Sequence, residues 1–293
     1  CILQPPIFAD IVKIFRKFII KNGITVYDSE KHTGLLRHIY LRLAEATGEV
    51  MVCAVINGED LPHKNELIKR LTEIHSVKSI VLNINRDRTN VILGKECVTV
   101  WGNDCIYDVL CGVKVRLSPL SFYQVNHDMA QQLYEKAAEY ACLSGKETVL
   151  DMYCGTGTIG LSMAKKAKRI IGAEIVPEAV LDAKRNALEN GIENAEFICA
   201  DAGEAAQELS SRGIKPDVVL LDPPRKGCSE MLLAEIVKMS PERIVYVSCD
   251  PSTLARDCFR LKDLGYETKR LAAADLFPRT VHVESVALLT KQK

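Results

Sequence analysis

Several features are missing from the sequence, and each absence narrows what the protein can be. No apolar run approaches the roughly 20 residues that a membrane helix needs, and no signal peptide opens the chain. The 38 basic and 38 acidic residues cancel to a net charge of zero, so composition gives no argument for a nucleic-acid partner. The 11 cysteines show no spacing typical of a small disulfide-bonded domain. We therefore predict a cytoplasmic protein with reduced thiols and no membrane association.

The length of the chain and its hydrophobic content allow two packed domains. It has 293 residues, of which 47% are hydrophobic, enough to bury two cores. It begins with Cys1 instead of methionine, and we expect a piece of a longer or processed protein. A change of pattern predicts one domain over 1–120 and a second over 121–293.

The first of these regions mixes helix and strand signals without a regular order. Apolar residues at helical spacing predict a helix over 7–22. Strand-like runs at 35–44 and 49–57 predict a β-hairpin. The other predicted elements are a helix and two strands, over 63–75, 77–85 and 90–94. A small α+β domain is expected.

After residue 146 strands and helices alternate regularly. Strand-like runs, each followed by a helical one, recur from 147–153 to 243–250, and 284–291 adds a last strand. Such alternation implies right-handed βαβ units and a parallel sheet. The predicted fold class is therefore α/β, with a doubly wound, Rossmann-like domain preceded by the smaller α+β domain.

A glycine-rich turn follows the first strand of the second domain. Gly155, Gly157 and Gly160 match the G-x-G-x-x-G spacing of dinucleotide sites, and Glu174 follows at the expected distance, so an NAD site is one interpretation. Asp151, at the end of the strand, favours another: its carboxylate would repel a pyrophosphate but suits a cationic ligand or its amino-acid portion.

The ends of the next two strands also carry acids. Glu174 ends the second strand, where it can accept both ribose hydroxyls of an adenosine. Acids at the first two strand ends, with a glycine turn between them, favour an S-adenosylmethionine site over NAD. Asp201 closes the third strand and is a candidate acceptor for the adenine amino group; an exposed helix N-cap is the alternative.

The fourth strand ends in L-D-P-P-R, which puts Asp222 at the carboxyl edge, where ligands of such sheets bind. A D-P-P-aromatic motif would indicate an amino-group methyltransferase that stacks its target base. Arg225 stands where that aromatic residue would be, which counts against this interpretation.

The fifth strand ends at Cys249, and a helix is predicted to begin directly after it, with Pro251 in its first turn. A helix N-terminus favours a thiolate, so Cys249 is the candidate nucleophile, whereas most other cysteines are expected to be small buried hydrophobes. Glu284, just before the last strand, is a candidate general base, with a surface carboxylate as its alternative. For His282, likewise, a structural role is the alternative to a functional one.

Five motifs, in their order, resemble the bacterial RNA uracil-C5 methyltransferases, which make 5-methyluridine in ribosomal or transfer RNA. They are S-F-Y-Q-V-N, D-x-Y-C-G-x-G, L-D-P-P-R, S-C-D-P-x-T-L-A-R-D and F-P-x-T-x-H-V-E. The match runs from about residue 118 to the end, and the part before it resembles the family's central, RNA-binding domain more loosely. The resemblance implies an S-adenosylmethionine-dependent enzyme that acts on RNA, and we expect a monomer.

The resemblance also assigns roles to individual residues. Cys249 would be the nucleophile and Glu284 the base. Six residues would contact S-adenosylmethionine: Gln124, Tyr153, Thr158, Glu174, Asp201 and Asp222. Arg279 stands where relatives often have a polar or histidine side chain.

Many members of this family carry a [4Fe–4S] cluster on four cysteines, the last of them in a C-x-L segment. Cys1, in C-I-L, resembles that fourth ligand. The other three ligands and the family's RNA-binding β-barrel are absent from this sequence, so a cluster is expected only in the full-length protein. Cys1 also favours 23S rRNA over tRNA as the target.

Two other classes of function remain open from the sequence. The first is an NAD-dependent oxidoreductase built on the same glycine turn. The second is a catalytically idle RNA-binding module, which the pairing of Cys249 with Glu284 argues against because such a module needs neither residue.

Overall fold

The structure is a computed structural model that describes residues 4–292. The chain forms two compact units. One comprises the described residues up to Val109 together with Arg116–Ser121, and the other comprises Leu110–Val115 and the chain from Phe122 onward.

The first unit is built on a four-stranded sheet with two helices. Its elements are α1 (Pro6–Asn22), β1 (Leu36–Leu43), β2 (Val50–Ile56), α2 (Lys64–Leu71), β3 (Val77–Ile84) and β4 (Glu96–Gly102). The sheet has the order β1-β2-β3-β4; the central pair is parallel and the two outer pairs are antiparallel. The first predicted helix and the predicted β-hairpin are confirmed. A two-stranded sheet follows, formed by β5 (Ile106–Leu110) and β6 (Val113–Leu117).

Helix α1 packs its apolar stripe into the core of this unit. Ile11, Phe15 and Phe18 recur at helical spacing and are buried together with side chains of β2. The helix ends at Gly23, which adopts the left-handed conformation with φ +60° and donates its N–H to the carbonyl of Ile19.

The prediction of a strand over 90–94 is wrong. The side-chain amide of Asn85 donates to two carbonyl groups of this segment, and the N–H of Gly94 donates to Asn83 Oδ1 over 2.6 Å. Side-chain bonds here take the place of a strand ladder, so the next strand begins only at Glu96.

The second unit alternates strands and helices along most of its length. Its elements are α3 (His127–Ala141), β7 (Thr148–Met152), α4 (Thr158–Met163), β8 (Arg169–Glu174), α5 (Pro177–Glu189), β9 (Ala195–Cys199), α6 (Ala202–Ser211), β10 (Val218–Leu221), α7 (Glu230–Met239), β11 (Arg243–Ser248), α8 (Pro251–Asp263), β12 (Tyr266–Ala274) and β13 (Glu284–Lys291). Ile171 and Ile244 of the strands share one buried core with Leu209, Ile236 and Leu261 of the helices.

The sheet of this unit has seven strands in the order β12-β13-β11-β10-β7-β8-β9. The five strands from β7 to β11 are parallel, which confirms the predicted doubly wound α/β fold. β13 enters antiparallel between β11 and β12. Strand β12 has no counterpart among the predicted elements, because it is an edge strand whose residues are mostly exposed and polar, without a core-facing alternation.

Candidate active site

The predicted site residues meet at one edge of the seven-stranded sheet. The carboxyl ends of parallel strands converge there, and each of the five parallel strands delivers one candidate residue at or just after its end. In chain order these residues are Tyr153, Glu174, Asp201, Asp222 and Cys249. β13 runs antiparallel to its neighbour β11, so its first residue, Glu284, lies at the same edge.

The turn after β7 opens this edge for a ligand. Tyr153, Gly155 and Gly157 all have positive φ values, of +64°, +55° and +81°, which glycine adopts without steric cost but tyrosine does not. A Cβ atom built on Gly155 would have no neighbour within 4 Å. No side chain therefore covers the backbone at Gly155, and another molecule can approach it closely.

Glu174 reaches from the end of β8 to this turn. Its Oε2 accepts the N–H of Gly155 over 3.1 Å, and its Oε1 accepts the N–H of Val176 over 2.9 Å. Each carboxylate oxygen has a second lone pair, so the carboxylate is held in one orientation and still has the capacity to accept ligand hydroxyls.

Asp151 is buried under the same turn. It is 1% exposed, and its Oδ2 accepts the N–H of Gly160 over 3.0 Å. Burial, together with the nearby charge of Glu174, raises the pKa of Asp151 to about 7. The sequence suggested a carboxylate that approaches a ligand, but in the structure Asp151 ties the start of α4 to β7.

Three further predicted residues have protein partners at this edge. Thr158 is the first residue of α4, nearly buried, with its Oγ1 3.1 Å from that of Thr156. Asp201 is exposed and caps α6, because its Oδ1 accepts the N–H of Gly203 over 2.8 Å, and its role toward a ligand stays a prediction. Tyr153 packs against the core, and burial, followed by the nearby Cys228, raises its pKa.

Gln124 lies in the segment that leads into α3. Its side chain lies near the hydroxyl of Tyr134, a buried residue of α3 whose pKa is raised by burial and by the charges of Asp222 and Glu284, among others. This proximity places Gln124 close to the edge where the carboxylates lie. Tyr134 was not found from the sequence, because a tyrosine at an apolar helical position reads as core.

Asp222 is the acid most strongly affected by its surroundings. Burial, and then the charges of Glu284 and Asp151, raise its pKa to about 8. At neutral pH Asp222 therefore retains its proton and can donate a hydrogen bond.

Cys249 follows β11 and precedes the capped helix α8. Burial and the charges of Glu284 and Asp222 raise the pKa of its thiol above the usual value. The helix N-terminus is expected to favour a thiolate, but the net effect of burial and the neighbouring charges is in the opposite direction. The two nearby acids and burial oppose the helix dipole, and the carboxylate of Asp250 already accepts the N–H groups of Ser252 and Thr253 at the helix end.

Glu284 is a buried acid. It is only 5% exposed, so the alternative of a surface carboxylate is wrong. Burial raises its pKa, and the guanidinium of Arg225 opposes that rise. Arg225 Nη2 lies 3.4 Å from His282 Nδ1, and the His282 ring meets Phe277 edge to face. Arg225 thus supplies positive charge where the sequence motif would otherwise have an aromatic residue.

A buried carboxylate that the sequence did not single out lies behind this site. Asp257 of α8 is fully buried and accepts hydrogen bonds from the hydroxyl of Tyr246 and the N–H of Cys228. Its other oxygen faces Arg256 and Arg260. Burial alone would raise the pKa of Asp257, but these donors together hold it below its usual value. The available signal was its position at the end of the motif S-C-D-P-x-T-L-A-R-D.

Residues 4–292 offer no metal cluster and no membrane helix. Within that range no group of three or more His, Cys, Asp or Glu residues could hold a metal ion, and no helix is long and apolar enough to cross a membrane. Cys1 lies outside the described residues, so its assignment as a cluster ligand stays a prediction.

The fold and the edge together define a class of protein, the Rossmann-like methyltransferases. A family model, tRNA (Uracil-5-)-methyltransferase, matches residues 95–292. The chain therefore belongs to the tRNA (uracil-5-)-methyltransferase family.

Several relatives and one solved structure are similar to the chain. It is 48% identical over 291 residues to an uncharacterized RNA methyltransferase of Clostridium tetani, covering 99% of this chain and 63% of the relative. A second relative of that description, from Halalkalibacterium halodurans, is 48% identical over 290 residues, again covering 99% and 63%. The crystal structure of Pyrococcus abyssi tRNA (uracil-54, C5)-methyltransferase in complex with S-adenosyl-L-homocysteine is 33% identical with a TM-score of 0.81, covering 95% of this chain and 66% of that one. The chain spans somewhat less than two thirds of the length of the two bacterial relatives.

Proposed function

We propose that this chain carries the catalytic part of an enzyme that transfers a methyl group from S-adenosylmethionine to C5 of a uridine in RNA, through a covalent adduct with Cys249. One observation carries the proposal: Cys249 and Glu284 come together at the strand edge that also holds the glycine turn. The pairing of Ser248 with Ser285 supports it, because one further step in this antiparallel register brings Cys249 opposite Glu284.

The residues at the glycine turn fit S-adenosylmethionine. The open backbone at Gly155 and the oriented carboxylate of Glu174 suit an adenosine ribose. We propose that Glu174 holds the ribose hydroxyls. The remaining contacts would come from Gln124, Tyr153, Thr158, Asp201 and Asp222. When bound, S-adenosylmethionine supplies an electrophilic methyl group on a sulfonium. Membership of the family and the S-adenosyl-L-homocysteine in the similar archaeal structure favour this cofactor over NAD.

The chemistry explains why a thiol and a carboxylate are needed. C5 of uracil is a poor nucleophile, and addition of the Cys249 thiolate to C6 gives the ring carbanion character at C5. C5 would then take the methyl group as the sulfonium S–CH3 bond breaks, with S-adenosylhomocysteine as the leaving group, and Glu284 removes the C5 proton. The electron pair left at C5 re-forms the C5–C6 double bond as the C6–S bond breaks and the thiolate leaves. The target base has to leave its stack to reach such a site.

Asp222 has a role in holding the uracil in this proposal. Because its pKa is raised to about 8, it is protonated near neutral pH and can donate to a carbonyl oxygen of the ring. A donor at that oxygen stabilises the negative charge that develops when the thiolate adds.

The identity of the target RNA, 23S rRNA or tRNA, is the most specific part of the proposal. Cys1 resembles a cluster ligand of the family, which favours 23S rRNA. A specific observation favours tRNA instead, because the similar archaeal structure is that of a tRNA (uracil-54, C5)-methyltransferase. To decide between them, total RNA from a strain that lacks the enzyme would be methylated by the full-length protein with labelled S-adenosylmethionine. Label in 23S rRNA supports the first target, and label in tRNA alone overturns it.

We also propose that the region 1–120 contributes to RNA binding. The exposed segment after β3 carries Arg86 and Arg88. Arginine side chains in an exposed segment suit contacts with phosphate groups, which supply much of the affinity of RNA-binding proteins.

The covalent mechanism predicts different products from two variants of the full-length enzyme. Cys249→Ala lacks the thiol and should give neither an adduct nor methyl transfer. Glu284→Gln keeps the nucleophile but lacks the base, so a methylated protein–RNA adduct should accumulate and survive denaturing electrophoresis. Cys142→Ala, which removes an exposed thiol at the end of α3, is the control and should behave as the wild type. An adduct with Cys249→Ala, or none with Glu284→Gln, contradicts the mechanism.

A further inference from the structure

The turn between β10 and α7 is bound to the middle of α8. The N–H of Cys228 donates to Asp257 Oδ2 over 2.8 Å, and Arg256 Nη2 donates to the carbonyl of Lys226 over 2.8 Å. Within the turn, the N–H of Gly227 donates to the carbonyl of Pro224 over 2.8 Å. The loop that follows Asp222 is thus fixed to α8 at both Lys226 and Cys228.

Gly227 makes this close approach possible. Its φ is +73°, and a Cβ atom there would lie 2.5 Å from both Arg256 Nη2 and Asp257 Oδ2. No residue with a side chain fits at this distance without displacing the two groups. The close approach at Gly227 and the hydrogen bonds of the buried Asp257 carboxylate therefore form a single contact between the turn and α8.

Asp257 is the centre of that contact. Its Oδ2 also accepts the hydroxyl of Tyr246 in β11 over 2.7 Å, while its Oδ1 accepts Arg256 Nε over 2.9 Å and Arg260 Nη1 over 3.2 Å. A fully buried carboxylate with donors on both of its oxygens is held in one orientation. It links strand β11, helix α8 and the turn.

The turn carries Arg225 toward the reacting groups. Its guanidinium lies beside His282 and lowers the pKa of both Cys249 and Glu284, against the effect of burial. The charges of Glu284 and Asp222 act on Cys249 in the opposite direction. Arg225 therefore offsets part of the effect of the two acids on the thiol.

We propose that Asp257 is a positioning residue, which, through the turn Pro224–Cys228, holds Arg225 beside His282 and near Cys249 and Glu284. This proposal rests on the proposed function only because it takes Cys249 as the reacting thiol. Asp257 touches neither substrate nor cofactor in this arrangement, and its effect passes through Arg225.

The test measures the pH dependence of Cys249 alkylation by iodoacetamide, read at the Cys249 peptide by mass spectrometry. Asp257→Asn and Arg256→Gln both release the turn, so the midpoint should move upward by about 0.5 pH unit, a modest shift because Arg225 is exposed and its field is screened. Arg260→Gln is the matched control: it also loses a contact with Asp257, but its second contact is with Glu230 and not with the turn, so its midpoint should stay at the wild-type value.

A double variant shows whether the effect passes through Arg225. Arg225→Gln should give the same upward shift, and adding Arg256→Gln to it should give no more. An unchanged midpoint in Arg256→Gln, a shift in Arg260→Gln as large as that in Arg256→Gln, or additive shifts in the double variant overturns the proposal. If Asp257→Asn does not fold, Arg256→Gln decides the matter, since that side chain is partly exposed. Alkylation needs no methyl transfer, so a failure of the covalent mechanism leaves this result readable.

Discussion

Cys249 and Glu284 both adjoin the last antiparallel pair between β11 and β13, which joins Ser248 to Ser285. The two strands are separated in sequence by α8 and β12, yet their register brings a thiol and a carboxylate to the same point. A slip of one residue would turn Glu284 to the other face of the sheet. The catalytic pair that we propose is therefore a consequence of strand register.

The first prediction concerns the cofactor. Glu174→Ala should remove a charge-assisted contact with the ribose hydroxyls worth roughly 1.5–3 kcal/mol. The affinity for S-adenosylhomocysteine should then fall about tenfold or more by calorimetry. Glu178→Ala, at the start of α5, is the control and should bind normally. An unchanged dissociation constant in a folded Glu174→Ala variant would exclude Glu174 from the site.

The second prediction separates two roles of Asp201. Asp201→Ser keeps a good N-cap for α6, so the free energy of unfolding should change by no more than about 0.5 kcal/mol. Serine is too short to replace the carboxylate as an acceptor for the adenine amino group, so the affinity for S-adenosylhomocysteine should fall. Unchanged affinity would leave Asp201 as a helix cap alone.

The third prediction uses the raised pKa of Asp151, about 7 in the folded protein against roughly 3.9 in an unfolded chain. A folded pKa above the unfolded one gives stability that is complete below the unfolded pKa and is lost as the pH rises through the folded one. Asp151→Asn cannot ionise and keeps an acceptor for Gly160. Its free energy of unfolding relative to the wild type should therefore rise by on the order of 1–2 kcal/mol between pH 5 and pH 7.

Urea titrations of the ligand-free protein at several pH values would measure this difference. Asp128→Asn is the control for the same substitution at an exposed position, since Asp128 is 93% exposed. A flat pH profile for Asp151→Asn would mean that Asp151 is ionised across this range.

The fourth prediction concerns RNA. In the full-length protein, Arg88→Gln should weaken RNA binding and reduce the slope of log K against log salt by about one if Arg88 contacts a phosphate. Arg70→Gln is the control, because Arg70 lies on α2 and pairs with Glu73. Equal salt slopes for the two variants would contradict the contact.

The sequence predicted the α/β class and the order of the site residues, because strand and helix periodicity and the glycine turn are local properties. It failed at 90–94, where the side chains of Asn83 and Asn85 compete with strand pairing, and at β12, whose polar edge carries no apolar pattern. The type of each candidate residue at each strand end was likewise readable along the chain.

Electrostatics and register were decided by the tertiary structure. The pKa of Cys249 is raised by burial and by the charges of Glu284 and Asp222 and lowered by Arg225, and these groups come from other strands and turns, so the helix N-terminus alone could not indicate the net direction. The motif that ends at Asp257 does not reveal the importance of this residue, because that importance comes from donors on β11, α8 and the turn before α7. Local pattern determines which residues end each strand, whereas burial and charge at a site are sums over groups distant in sequence.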